Sequence, residues 1–401
     1  MRKHRYDVVI VGGAVTGSSV AYFLAANPDF NGSVVLVEMD PTFSKSATAL
    51  SSSSIRHQFS TAVNVQISQF GTQFIREFAE TVRVNETKPD LFFRENGYLF
   101  LAETEEQEQI LRTNHDVQVS CGADVVLFDA NELANAFPHL NTDDIRLASY
   151  GRSGEGWFSN TGLMDGFRRK ARQLGVTYIV DEVCAISRQS DRVTGVRLKS
   201  GDVINCDFLV NASGTRGARI AAMAGLELPV EPRKRTIFIF DCAQSPQGSA
   251  YVNNGQLPLM IDKTGTFCRP EGEYFMSGMT PEHDPLVDPA DFEPRFEEFE
   301  TIWTNLAARS RNFEAIKLLN SWAGHYDYCT LDQNAVVGPH SEAKNFLFAN
   351  GFSGHGLQQS PAIGRGISEM IAYGEYRTLD LSPLSYLRVA ENRPFIEKAI
   401  I

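Results

Sequence analysis

The sequence predicts an α/β fold, α+β overall, in which a Rossmann-like nucleotide-binding domain is interleaved with a sheet-based second domain. Three observations predict it. Residues 6–17, Y-D-V-V-I-V-G-G-A-V-T-G, carry an apolar β-branched run into a glycine cluster. A second β-branched run at 34–37 is closed by the acid Glu38. Strand, glycine turn and helix return at 346–373, after a strand-rich middle. The chain has 401 residues, enough for two domains. The alternation divides it into 1–85, 150–222 and 326–401 for the nucleotide domain, with 86–149 and 223–325 for the inserted one.

Each element follows from local chemistry. Residues 8–11 read as a buried parallel strand, and 17–26 as a helix stopped by Asn27-Pro28. Strand 34–37 completes a βαβ unit of roughly the ~30 residues such units need. The polar loop 44–54 is low in complexity, but directly after a strand its hydroxyls and N–H groups are placed to meet a cofactor. A helix of about twenty residues ends near Glu80. A short strand at 97–101 precedes a helix starting near Glu103, whose acidic run 103–108 suits a solvated N-terminal face. Residues 125–128 form a strand before another short helix, and 163–174 an amphipathic helix with surface arginines. Short strands at 178–180, 183–188, 193–199, 203–205 and 208–211 make a meander. Helices are expected at 292–308 and 361–373.

Bulk properties exclude several classes. The net charge of −12 argues against a nucleic-acid partner. No apolar stretch reaches the ~18–20 residues of a membrane span. The basic start, Met1–Arg5, lacks the apolar core of a secretory signal, so the expected location is the cytoplasm. The six cysteines form no C-x-x-C pair and read as reduced, buried thiols, and no metal site is expected.

In a dinucleotide fingerprint the first glycine makes the turn, the second admits the pyrophosphate, and the third allows close helix packing. Gly12, Ala14 and Gly17 take these places, with Gly13 between. Ala14 puts a methyl where the phosphates pass. Glu38 is placed for ribose hydroxyls and disfavours a 2′-phosphate. This part alone leaves NAD and FAD both open. The later run N-G-F-S-G-H-G, 350–356, lets backbone lie against a flat ring, and the following helix N-terminus suits the anionic edge of a reduced flavin.

With these residues in view the chain resembles the D-amino acid oxidase superfamily of FAD proteins. It is nearest the branch holding sarcosine oxidases, dimethylglycine dehydrogenases and FAD-dependent oxidoreductase domain-containing proteins. The likeness spans nearly the whole chain. It is carried by the N-terminal βαβ unit, by S-S-S-S-I-R-H-Q-F-S (51–60), and by G-E-G-W-F (154–158) with G-F-R-R-K (166–170). It continues through V-E-P-R-K-R (230–235), W-A-G-H-Y-D-Y-C-T-L-D-Q-N-A-V-V-G (322–338) and the glycine run.

The resemblance implies a glutathione-reductase-type FAD fold and oxidation of a secondary or tertiary amine, chiefly an N-substituted amino acid such as sarcosine, dimethylglycine or iminodiacetate. Flavin takes the hydride equivalent and the imine hydrolyses. FAD is expected non-covalent, with O2 or a redox partner protein as acceptor. The implied cofactor residues are Gly12, Gly13, Ala14, Val15, Thr16, Gly17, Glu38, Met39, Thr48, Ser51, Ser52, Ser53, His57, Val183, Ala212, Ser213, Gly214, Gly324, Gly351, Phe352, Ser353, Gly354, His355, Gly356, Leu357 and Gln358.

On the substrate side, Arg56 matches the position of a carboxylate-binding arginine, a task its planar fork suits. Tyr326 and Trp322 are candidates for the pocket wall, and Arg269 for a second anionic anchor suited to a dicarboxylate. Two departures stand out. Gln358 replaces the lysine that sarcosine oxidases use as a second anchor, and their oxygen-activating lysine has no match, leaving Lys263, Arg269 and His325 as alternatives. His57 reads as packed rather than as a flavin attachment point, and Cys329 lies out of register with the attachment cysteine of some relatives. An assembly or scaffold protein without amine turnover and an NAD-linked dehydrogenase are the two other readings.

Overall fold

The computed structural model describes residues 4–249 and 252–398. Two eight-stranded sheets organise it. In the first, strands Phe346–Asn350, Val203–Asn211, Arg5–Val11, Val34–Glu38 and Thr177–Val180 run parallel in that spatial order. Val336–Pro339 is an antiparallel edge, and Val183–Gln189 with Arg192–Leu198 extends Val203–Asn211. Parallel strands buried on both faces read as unbroken apolar runs. Val8, Val9 and Ile10 are fully buried accordingly. Helices Val15–Ala26, Ala62–Thr81, Asn160–Gln173 and Gly356–Tyr373 pack together over this sheet.

The second sheet draws on residues 98–151 and 230–329. Its spine is the long antiparallel pair Val230–Cys242 and Ile316–Cys329. The boundary expected at 325/326 falls inside Ile316–Cys329, whose end is bridged at Tyr328 to Phe352, just after strand Phe346–Asn350.

Several elements differ from the sequence reading. Residues 203–205 and 208–211 form one strand, Val203–Asn211, because pairing with Arg5–Val11 continues through the intervening polar Asp207. The last long helix begins at Gly356, not 361. Pro361 lies inside it, and the Ser360 hydroxyl bonds the Leu357 carbonyl that proline cannot reach (2.9 Å). The helix expected from 292 begins at Glu297, because Pro294 disfavours helical geometry at the residue before it and Phe292 stacks on His325 instead (centroids 4.3 Å). In the acidic run, Glu103 is not simply solvated but pairs with Lys263 and Arg309. All six cysteines are free. Among the described residues no helix is long and apolar enough to cross a membrane, and no cluster of metal-ligating side chains occurs.

Candidate functional site

A cleft of about 460 Å³ runs along the ends of the parallel strands and reaches the second sheet. One end is set by the fingerprint. Gly12 has φ +99°, and a Cβ there would meet the Ala212 carbonyl oxygen at 2.4 Å. At Gly17 a Cβ would lie 1.9 Å from the Gly12 oxygen, so only glycine lets helix and turn approach this closely. The Gly13 N–H donates to Glu38 Oε2 (2.7 Å) and the Asp40 N–H to Glu38 Oε1 (2.8 Å). The carboxylate is thus held at the strand end, on the cleft wall. Helix Val15–Ala26 has no side-chain cap at Ala14, and only its Val15 N–H is bonded by a side chain, Thr48 Oγ1 (3.2 Å). Its remaining first-turn N–H groups offer an anion site.

The other end is the glycine turn. Gly351 and Gly354 take φ +74° and +96°, and Ser353 +50°. Asp327, on the neighbouring strand, fixes the turn by accepting from the Gly351 N–H (2.8 Å). Burial pushes the Asp327 carboxyl up to about 6, against the pull of the backbone N–H groups it accepts from. A Cβ on Gly354 would strike the Tyr326 ring at 2.6 Å, so the turn lies flat on that aromatic.

Most of the expected cofactor residues meet on this one surface. Gly12, Ala14, Val15, Thr16, Glu38, Met39, Thr48, Ser51, Ser52, Val183, Ala212, Ser213, Gly214, Gly324, Phe352, Gly354, Gly356 and Leu357 line the cleft, as does Tyr326. Gly13, Gly17, Ser53, Gly351, Ser353 and His355 adjoin lining residues in the chain but do not themselves line the cleft. His57 is also set back: its ring bonds Thr72 Oγ1 (2.9 Å) and fills the space beside Gly154. Burial, with Arg76 nearby, drops its imidazole to about 4. Cys329 is buried, its thiol pushed up to about 11 by burial.

The structure does not bring Arg56, Gln358 or Arg269 to the cleft wall. Arg56 is 3% exposed. Its fork donates to the Gln58 carbonyl (3.3 Å), meets His355 Nε2 (3.1 Å) and lies over Phe59. His355 is held well below the usual imidazole range by burial and by Arg56, so it accepts from the guanidinium. Gln358 Oε1 accepts the Arg56 N–H (2.9 Å). Arg269 donates to the Ser52 and Pro270 carbonyls, pairs with Glu271 and lies over Trp157. Behind Arg56, Glu155 is fully buried and accepts from the His57 N–H (2.7 Å) and Gln58 Nε2 (2.8 Å). Burial raises its carboxyl to about 7.

Sequence reasoning assigned no role to Arg235, Asp327 or Phe292, which line the cleft. Arg235 and Asp327 lie within stretches that carry the resemblance, R-K-R and H-Y-D-Y, but nothing in the sequence shows which of three consecutive cations turns inward.

The family profile described as FAD dependent oxidoreductase (DAO) matches residues 7–370. The chain belongs to this family. As a DAO-family protein it is an FAD-dependent oxidoreductase. It is 40% identical to the FAD-dependent oxidoreductase domain-containing protein 1 of Xenopus laevis, over 99% of this chain and 85% of that protein. It is 26% identical to the glycine oxidase of Geobacillus kaustophilus, over 96% of this chain and 97% of that one. The crystal structure of L-proline dehydrogenase from P. horikoshii shares the DAO fold with a TM-score of 0.84 at 23% identity, covering 98% of this chain and all of that one. FAD fits the cleft on the structure's own terms: the Glu38 carboxylate and the uncapped N-termini of helices Val15–Ala26 and Gly356–Tyr373 all stand on its wall.

Proposed function

We propose that this DAO-family protein oxidises the CH–NH group of a secondary or tertiary amine, in particular an N-substituted amino acid. The observation that carries the reading is the single cleft joining Glu38 and the fingerprint turn to the glycine turn, where it opens against Tyr326 and the second sheet. FAD, when bound, would supply a two-electron acceptor for the hydride equivalent on the carbon next to nitrogen, and the resulting imine or iminium would hydrolyse to a carbonyl compound and an amine.

The protein's contribution is placement. Glu38 binds the AMP ribose, and the open N–H groups of helix Val15–Ala26 hold the pyrophosphate. Val183 offers backbone groups on the adenine side. Residues 351–357 hold the pyrimidine edge against the N-terminus of helix Gly356–Tyr373. Arg56 acts as a positioning residue: through His355 and Gln358 it fixes the start of that helix. The amine binds deprotonated, so its oxidation needs no general base. FAD is held without a covalent bond. Segments 1–85, 150–222 and 326–401 serve the cofactor, and 86–149 with 223–325 the substrate. The glycine oxidase relative supports an amino-acid substrate.

The test is an anaerobic flavin spectrum with sarcosine, dimethylglycine, iminodiacetate, N-alkylglycines and proline added in turn. Bleaching of the band near ~450 nm by one of them supports the reading. Yellow protein that no amine bleaches refutes amine turnover, and colourless protein that binds NAD refutes the cofactor assignment. Readmitting air then separates O2 from a redox protein as acceptor.

A further inference from the structure

Arg235 is a buried guanidinium on the cleft wall, against the same Tyr326 ring that the glycine turn meets at Gly354. It sits on strand Val230–Cys242 opposite Gly324, and its fork lies 4.9 Å from the centre of the Tyr326 ring. It is 7% exposed. The neighbouring cations are committed elsewhere: Lys234 to Asp291, and Arg233 to Glu231 and the Asp284 carbonyl. The Arg235 fork holds one carboxylate, that of Asp284, as a bidentate pair at 2.7 and 2.8 Å, with a further bond to the Lys234 carbonyl. Its Nε is buried without a partner among the described residues.

Asp284 belongs to residues 279–296, an irregular stretch between strand Tyr274–Gly278 and helix Glu297–Arg309. This stretch lies along the cleft: Pro289 and Phe292 form part of its wall. Besides the charged pairs, it is held by Val287 N–H to the Pro232 carbonyl (3.2 Å), Lys234 Nζ to the Glu293 carbonyl (3.0 Å) and Arg295 N–H to Thr236 Oγ1 (3.1 Å), and by Phe292 and the Asp291 carbonyl on His325.

We propose that Arg235 is the specificity residue that binds the substrate's carboxylate, and that Asp284 is an internal carboxylate holding the same fork when no anionic substrate is bound. The inference rests on the amino-acid reading above and names the group that would recognise the acid. A planar fork that already grips two carboxylate oxygens in line with an aromatic wall makes the same pair with a free carboxylate. The exchange keeps the buried charge paired throughout, which a buried guanidinium requires. It also releases the tie at Asp284 between residues 279–296 and the strand, while those at Val287, Asp291 and Arg295 remain.

The experiment uses the FAD-loaded protein and propionate, a carboxylate with no amine to oxidise, with propionamide as the neutral control. Binding is read from the shift in the flavin spectrum. Asp284→Asn removes the competitor, and propionate should bind at least tenfold more tightly than to wild type, while propionamide is unchanged. Arg235→Met should weaken propionate at least tenfold. Arg235→Lys, which keeps the charge and the fold but not the fork, should also lose the gain when combined with Asp284→Asn. Thermal melts check that each variant is folded. A purely structural ion pair predicts the opposite for Asp284→Asn, equal or weaker binding, and that result overturns the proposal. So does unchanged propionate affinity in folded Arg235→Lys/Asp284→Asn relative to Asp284→Asn, or no propionate binding to any variant. The titration needs no turnover, so failure of the amine reading, a flavin that no amine reduces, is seen separately.

Discussion

Gly12→Ala tests whether the fingerprint turn is shaped for the cofactor. The substitution meets two penalties. An L side chain at φ +99° is strained, by about 1–3 kcal/mol for residues held in sparsely populated backbone regions. The added methyl would also lie 2.4 Å from the Ala212 oxygen and 2.9 Å from the Ser213 Cα, both backbone atoms that cannot swing aside. Ala212 and Ser213 line the cleft, so the turn can relax only by moving the cleft wall. The strain itself is met with or without FAD and lowers folding stability, while the displaced wall loses cofactor contact and lowers FAD affinity. At about 2 kcal/mol or more, Kd for FAD rises ~30-fold or more. The assay is titration of apoprotein with FAD, followed by quenching of flavin fluorescence. Gly122→Ala is the control: φ is +79° but no atom lies within 4 Å of the new methyl. It should lower stability by about 1 kcal/mol and leave FAD affinity alone. If Gly12→Ala binds FAD within threefold of wild type, the turn does not approach the cofactor as argued.

Three further outcomes are expected. Glu155, raised to about 7 by burial, contributes stability that is complete below its unfolded value, near 4.5, and is lost as pH rises through about 7. Glu155→Gln removes this dependence, so its melting temperature relative to wild type should climb between pH 5 and pH 8; a flat difference would show the carboxyl is not perturbed. Arg309, 4% exposed on its side chain, bridges Asp262, Asp144 and Glu103, and Arg309→Met should cost about 3 kcal/mol in urea unfolding by leaving the buried Asp262 carboxylate without its cation. Acid precipitation should release all the flavin into the supernatant, whereas yellow colour retained in the pellet would mean a covalent bond.

The sequence by itself determined the βαβ unit, its acid at Glu38, the late glycine turn and the family, because each is written in contiguous residues. A fingerprint is a local object: strand, turn and helix N-terminus lie within a dozen positions, and their spacing is their geometry. Only the tertiary structure decided which charged groups face the cleft. Arg56, Arg269 and Arg235 look alike in sequence, yet the first two are turned into backbone carbonyls, His355 and Glu271, while the third faces the cavity. That choice depends on the pairing of Val230–Cys242 with Ile316–Cys329 and on the path of residues 279–296, contacts between segments far apart in the chain. In a strand a shift of one residue reverses the face a side chain occupies, so three adjacent cations cannot be told apart until the register is known.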